Sequence, residues 1–418
     1  MAQLSDDCFA FGEELLAVEE LERIIRERVA PVAKTETVPI RQACGRVLAQ
    51  EIVAQVSLPP FDNSAVDGFA VRHADLSPEG DTRLKVAARL TAGRAAAQPL
   101  AAGEAARIFT GAPMPEDADT VFMQEDVRID GDHVVLPPGL EHGANRRLAG
   151  EDVKAGTLAL PAGRRLSARD VALAAALGLA HLTVRRRLRV ALFSTGDEIA
   201  EPGSPLPKAA TYDANRFLLA ALLERLGARV TDGGILRDDP AVVGEALHDA
   251  ARGHDLVLTS GGVSAGEADH VRETIEAVGR LVFWRVAIKP GRPVAMGVLD
   301  GTAVVGLPGN PVAAFVTFMR VVRPLMMQLA GAQPEPLTPL PVRTNFSYRK
   351  KKGRREYVRA RLTRAADGAV EAAKHPRDGA GVVTSLTETD GLIELHEDTT
   401  AIEPGMIVGF LPYAVLSD

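Results

Sequence analysis

The segment Leu258-Thr259-Ser260-Gly261-Gly262-Val263-Ser264-Ala265-Gly266-Glu267-Ala268-Asp269-His270 combines residue types that can hold a phosphorylated ligand. An apolar run feeds a Ser/Gly loop whose glycines let the backbone approach a ligand closely. N–H groups at the start of the following helix favour an anion. Glu267 and Asp269 in the same place would repel phosphate. A divalent cation removes the conflict, and Mg²⁺ held by one or two carboxylates together with phosphate oxygens is a usual arrangement. Two further loops share this texture: Ser194-Thr195-Gly196-Asp197-Glu198 and Gly306-Leu307-Pro308-Gly309-Asn310-Pro311. Arg237-Asp238-Asp239 adds acid, although both aspartates are also placed to cap the helix after Pro240. Lys289-Pro290-Gly291-Arg292-Pro293 presents two cations on a stiff backbone. Each proline there fixes its own φ and restrains its predecessor, which suits an oxyanion ligand. Asp62, Asn63, Ser64 and Asp67 could read the polar edge of a heterocycle or simply shape a turn. Thr110, in Phe109-Thr110-Gly111-Ala112-Pro113, belongs to a second polar break between apolar runs.

These loops need a scaffold. Between Arg189 and Leu329, strand and helix patterns alternate: strand 189–194, helix 214–226, a strand from Arg229, helix 241–251, strand 255–259, helix 270–278, strand 303–306 and helix 312–328. Asn310 is placed to cap the last helix, with Pro311 at its first position. Such alternation predicts a parallel sheet with helices on both faces, whose ligands bind beyond the carboxyl ends of the strands. The three Gly-rich loops leave those ends, so Glu198 and Asp269 are expected near each other and near two anion cradles. Upstream, Leu15, Val18, Leu21, Ile25 and Val29 mark an amphipathic helix over 13–29 that Pro31 stops. Residues 44–53 form a further helix or a strand lead-in. Short apolar runs between Gly/Pro turns over 56–147 predict a small β domain. Ser167-Ala168-Arg169-Asp170 opens a helix in the manner of a capping box. After a proline-rich linker at 334–341, the runs 357–362, 391–395 and 406–412 predict a second small β domain.

At 418 residues, a single core is not expected. A net charge of −7 argues against bulk nucleic-acid binding, despite local clusters such as Arg185-Arg186-Arg187. No run of eighteen apolar residues exists, so no membrane span is expected. The opening residues carry Asp6 and Asp7 and lack a basic stretch, which speaks against a signal peptide. Cys8 and Cys44 are too few for a disulfide framework or a cysteine zinc site, in keeping with a cytoplasmic protein.

Taken in order, Asp62 to Gly68, Thr110 to Pro113, Ser194 to Glu198, Ser260 to Ser264, Lys289 to Gly291 and Gly306 to Pro311 resemble the molybdopterin molybdenumtransferase family over essentially the whole length. That family includes the enzyme domain of gephyrin. The resemblance implies an α/β multidomain protein. A central doubly wound, mostly parallel sheet domain (188–332) would carry two small β domains (56–147 and 336–418) and a discontinuous, elongated N-terminal domain (1–55 plus 148–187). It implies a homodimer with a site shared across the interface, Mg²⁺ as cofactor, and the last step of molybdenum cofactor synthesis. In that step adenylylated molybdopterin and molybdate yield the cofactor and AMP.

Carried over residue by residue, Glu198 and Asp269 look like metal ligands, and Asp67, Asp238, Asp269 and Lys289 like catalytic groups. Asp62, Asn63, Ser64, Thr110, Asp152, Gly261, Gly262, Ser264, Gly309 and Asn310 would bind the substrate. Arg292, Pro293, Arg359 and Ser385 would line the molybdate side. The chain departs from the family pattern at Ala313 and Ala380, where serine is usual, and at Arg285 and Arg292, where lysine is common. The arginines keep the charge but change the donor geometry. A pterin adenylyltransferase and a non-catalytic cofactor carrier or scaffold are the alternatives. The flanking β domains weigh against the first, and retention of Glu198, Asp269 and Lys289 against the second. Enzymes of the same pathway are possible partners; nucleic acid and membrane are not expected.

Overall fold

A computed structural model describes residues 15–94, 98–263 and 270–417. Helix α1 (Val18–Arg28) buries Val18, Leu21, Ile24 and Ile25, the stripe expected from the periodicity. It begins later than predicted because Leu16 is extended, pairing with Val286 and donating its N–H to Arg285 O. Residues 44–53 form no helix. They run through bridges from Val47 to Arg165 and from Leu48 to Val184 into a short strand, Ile52–Val53.

Helix α2 (Ala168–Ala176) opens with the expected capping box, in which Ser167 and Asp170 each bond the other's backbone N–H. Strand Thr35–Pro39 pairs antiparallel with His181–Arg185. One core then gathers Val38, Leu48 and Ile52 with Leu160, Leu166 and Leu182, from both sides of an inserted β region. In that insert, a six-stranded sheet has Gly68–Val71 between Thr120–Met123 and Glu104–Ile108, followed by Thr82–Leu90, His133–Leu136 and Arg128–Asp130. Ala70 enters one core and Phe69 and Val71 another, the two-residue period of a sheet covered on both faces.

The centre of the molecule consists of β1 (Arg189–Thr195), α3 (Asn215–Arg225), β2 (Arg229–Leu236), α4 (Pro240–Gly253), β3 (Leu256–Ser260), α5 (His270–Val278), β4 (Arg280–Trp284), β5 (Ala295–Leu299) and β6 (Thr302–Leu307). The strand order is β2-β1-β3-β6-β5-β4. The first four strands are parallel, and β5 and β4 are added antiparallel. Every residue of β3 and β6 is buried, as continuous apolar runs covered on both faces must be. β4 has no local signature, because the long connection 285–294 offers no tight-turn signal, whereas β5 turns into β6 through Asp300-Gly301, a two-residue hairpin signal that the strand pattern passes over. From β1 the chain passes through α3 to β2 on one side, then crosses to β3 on the other. The loops after β1 and β3 therefore diverge and open a crevice at the point where the strand order reverses.

The last helix is not continuous. It comprises α6 (Pro311–Thr317), a π turn (Phe318–Val322) and α7 (Arg323–Leu329). Thr317 Oγ1 bonds back to the carbonyls of Ala313 and Ala314 at 2.7 and 3.0 Å, and Pro324 has no N–H to give. Together these interrupt the regular ladder. The span Pro311–Leu329 is long and apolar enough to cross a membrane by length and composition, yet 89% of its most apolar window is buried in the protein. That is the environment of a core helix.

In the C-terminal region β7 (Leu340–Thr344), β8 (Arg355–Arg364), β9 (Val370–Lys374), β10 (Gly391–Leu395) and β11 (Ile407–Pro412) pair in the circuit β8-β9-β7-β11-β10-β8 around Val342, Val358, Ile393 and Phe410. Ile288–Lys289 adds to β8 in parallel and joins this ring to the central sheet.

Candidate active site

The carboxyl ends of β1, β3 and β6 open into a cleft of about 850 Å³. Its walls include Thr195, Gly196 and Glu198 after β1, Asp238 after β2, Ser260 to Val263 after β3, and Pro308 to Pro311 after β6. Pro290, Gly291 and Pro293 form another wall, and Ala380, Gly381 and Val383 of the C-terminal ring close over it.

Glycine is required where these loops meet. A Cβ on Gly196 would lie 2.6 Å from Glu198 Oε2, so only glycine lets that carboxylate fold back against its own loop. Gly261 and Gly262 have φ of +102° and +68°, and Cβ atoms on them would lie 2.8 and 2.9 Å from Thr195 Oγ1. The Gly261 N–H is engaged by Leu307 O at 2.9 Å. This glycine therefore serves close loop packing and offers no free anion donor. Asp197 N–H reaches Asp238 Oδ2 at 3.3 Å, clipping the loops after β1 and β2 together.

The cleft brings together Glu198, Asp238, Gly261, Gly262, Pro293, Gly309 and Asn310 of the residues expected from sequence. Ser264 and Asp269, like Glu267, lie outside the described residues. Asn310 does not cap α6 through its side chain; its carbonyl takes the Ala314 N–H, while its Oδ1 turns toward Gly381.

The cations are differently employed. Lys289 Nζ stands 3.1 Å from Glu356 Oε2 and 3.4 Å from Tyr348 Oη, beside the cleft rather than in its wall. Burial would raise the Glu356 carboxyl, but hydrogen bonds from Lys289, Tyr348 and Arg354 overrule it and hold the group below its ordinary value. Burial, then the bond to Glu356, pushes the Tyr348 phenol up. Arg292 is exposed next to Pro293. Arg359 is buried and donates to Gly379 O at 3.0 Å and Arg377 O at 2.9 Å, so it braces the loop that covers the cleft. Burial lowers its pKa. Ser385 is fully buried, with its hydroxyl on Val382 O, beneath that loop and outside the lining.

The residues of the inserted β region stand apart, and none lines the cleft of its own chain. Asp62 accepts from Arg146 Nε at 2.9 Å and Ala149 N–H at 2.7 Å. Asn63 Nδ2 bonds Phe61 O, and Ser64 Oγ bonds Val66 O. Asp67 Oδ1 receives both the N–H and the hydroxyl of Thr110, at 2.8 and 2.7 Å, and these two bonds, backbone first, lower its pKa. Asp152 is exposed, its N–H on Leu58 O.

Sequence reasoning missed Asp213 and Asn215, both buried and both lining the cleft, and it took in Ser194 and Thr195 only as part of their loop. Asp213 holds Arg216 at 3.0 Å, and the same arginine also meets Asp232 and Glu201. The only local signal was an acid and an amide just before an apolar helix, which reads equally well as a cap.

The ligand-type side-chain atoms here, on Glu198, Asp238 and Thr195, are oxygens, which suits Mg²⁺ and not a soft metal. The three-residue His/Glu group found among the described residues, Glu19, His396 and Glu397, lies elsewhere, with Arg355 bound to both of its carboxylates.

Three family profiles cover the chain: MoeA N-terminal region (domain I and II) at 16–178, "Probable molybdopterin binding domain" at 191–328, and MoeA C-terminal region (domain IV) at 341–413. The molybdopterin molybdenumtransferase of Haemophilus influenzae is 36% identical over 96% of this chain and 99% of its own length. Molybdopterin molybdenumtransferase 2 of Mycobacterium tuberculosis is 37% identical over 93% and 97%. The crystal structure of the molybdopterin biosynthesis moeA protein of Pyrococcus horikoshii superposes with a TM-score of 0.80 at 29% identity, covering 96% of this chain and all of that one. The chain thus belongs to the molybdopterin molybdenumtransferase family and is an enzyme of molybdenum cofactor biosynthesis.

Proposed function

We propose that the cleft takes adenylylated molybdopterin with Mg²⁺ and molybdate, and that the enzyme releases AMP as molybdenum enters the dithiolene. The observation that carries this reading is the cleft at the reversal of strand order, with the carboxylates of Glu198 and Asp238 in its lining between Ser/Gly loops. Glu198 and Asp238 would hold the cation, with Asp269 as a further ligand. Mg²⁺ bound there would neutralise charge on the pyrophosphate and help to orient water.

The chain's own part is chiefly positioning. Gly196 lets Glu198 fold back, Asp197 clips the Asp238 loop, and the Pro290 to Pro293 wall limits the space opposite. Arg359 keeps the 377–381 loop over the cleft, and Lys289 and Arg292 add positive charge at its margin. Both sulfurs arrive with the substrate, so a chain with two cysteines lacks nothing for this chemistry.

We infer also that the protein works in the cytoplasm as a homodimer, in which Asp67 and Thr110 of one protomer complete the cleft of its partner. Support comes from the separation of these residues from the cleft within one chain.

The test is AMP release from adenylylated molybdopterin with Mg²⁺, with and without molybdate. Molybdate-dependent AMP release together with mature cofactor is expected. Tight binding without turnover would point to a carrier, and adenylylation of molybdopterin by ATP would overturn the assignment.

A further inference from the structure

Asn215 opens α3 and is only 7% exposed, yet it lines the cleft. Both hydrogens of its amide are engaged. Nδ2 stands 2.8 Å from Ser260 Oγ at the end of β3 and 2.8 Å from Gly309 O in the loop after β6. A carbonyl can only accept, so turning the amide over would set two oxygens against each other. The orientation is therefore determined by the protein. Oδ1 is left buried, with no donor among the described residues. An unmet buried acceptor is destabilising, so its persistence calls for an external partner. Ser194 Oγ and Thr195 Oγ1, at the end of β1, are likewise buried with no partner among the described residues and line the same cleft.

The partner chemistry follows from the sign of the atom. Ionised phosphates offer acceptors only and would be repelled by Oδ1. A neutral N–H suits it. The edge of a pterin presents several N–H donors beside a carbonyl acceptor, which matches a fixed acceptor flanked by hydroxyls that can either donate or accept.

We propose that Asn215 is a substrate-binding residue whose Oδ1 accepts a hydrogen bond from a pterin N–H and sets the orientation of the heterocycle. This rests on the assignment of the cleft to adenylylated molybdopterin.

The experiment measures binding of two probes, 6-hydroxymethylpterin and AMP, to the full-length protein with Mg²⁺, in the wild type, Asn215→Ala and Asn215→Asp. Asn215→Ala is expected to weaken pterin binding about 10- to 100-fold and to leave AMP within about twofold. In turnover, KM for the adenylylated substrate should rise by more than kcat falls. Asn215→Asp keeps an acceptor but, while ionised, sets its second oxygen against Gly309 O, so it should recover pterin affinity only as the pH is lowered and that oxygen carries a proton to donate. Loss of AMP binding with pterin binding retained overturns the proposal, as do unchanged affinities for both probes. Equal loss of both probes in both variants, together with a lowered Tm, reduces Asn215 to a structural strut and also overturns it. A wild-type enzyme that releases AMP in turnover but binds no pterin overturns the Asn215 role alone. A wild type that releases no AMP overturns the substrate assignment and this role with it.

Discussion

The N–H of Val312 donates to the carbonyl of Ala380 at 3.0 Å, fastening the first turn of α6 to a loop of the C-terminal ring. Two regions distant in sequence thereby form one wall of the cleft, and the bond is main chain to main chain. The side chains at 313 and 380 can therefore change without breaking it. Ala313→Ser and Ala380→Ser restore hydroxyls at two positions that line the cleft. Each is expected to leave Tm nearly unchanged and to lower the molybdate KM by about 3- to 10-fold, the worth of one added hydrogen bond. A molybdate titration of AMP release checks this, and an unchanged KM in both variants would remove these positions from the oxyanion subsite.

Arg359 spans two carbonyls, Arg377 O and Gly379 O, with one planar guanidinium. Lysine keeps the charge but cannot reach both. Arg359→Lys should destabilise the protein by about 1–3 kcal/mol in urea unfolding and expose the 377–381 loop to proteolysis. A variant of wild-type stability and protease resistance would refute the bracing role.

Shared sites across a dimer can be tested by mixing. Asp67→Asn and Glu198→Gln are each expected to reduce AMP release by roughly 10²-fold or more. After subunit exchange, random pairing should restore about a quarter of wild-type activity, because each mixed dimer then holds one intact site. No recovery in mixed dimers, verified as formed by mass spectrometry, would show that each cleft uses its own chain's Asp67.

Asp255, just ahead of β3, accepts both oxygens' worth of bonds from Arg186, at 3.0 and 3.1 Å, and the Arg189 N–H at 2.7 Å. Burial alone would raise its pKa, but these partners overrule it and the carboxyl titrates below its ordinary value. A depressed folded pKa contributes stability above the unfolded value of about 3.9, and that contribution is lost as pH falls through the folded value. Asp255→Asn should therefore destabilise by about 2–4 kcal/mol at pH 7, with the gap narrowing below about pH 4. Urea unfolding at the two pH values measures it. A gap that does not change with pH would mean the ion pair contributes nothing.

What could be read in the sequence was local. The Ser167 and Asp170 capping box, the buried runs of β3 and β6, and the Gly-rich loops at strand ends depend on neighbours within a few residues. Periodicity and turn chemistry therefore reveal them. The family could also be recognised, since its motifs stand in order along the chain.

Tertiary packing decided which side chains the cleft would receive. Lys289 is drawn to Glu356 and Arg359 to the carbonyls of 377 and 379, while Asn215 is brought between the ends of β3 and β6. The antiparallel β4 and the π turn before α7 were hidden for a related reason. Each depends on partners that approach only when the sheet, the core helix and the C-terminal ring have packed. A buried polar atom is directed by whichever donor or acceptor the fold places beside it, and that neighbour has no fixed distance along the chain.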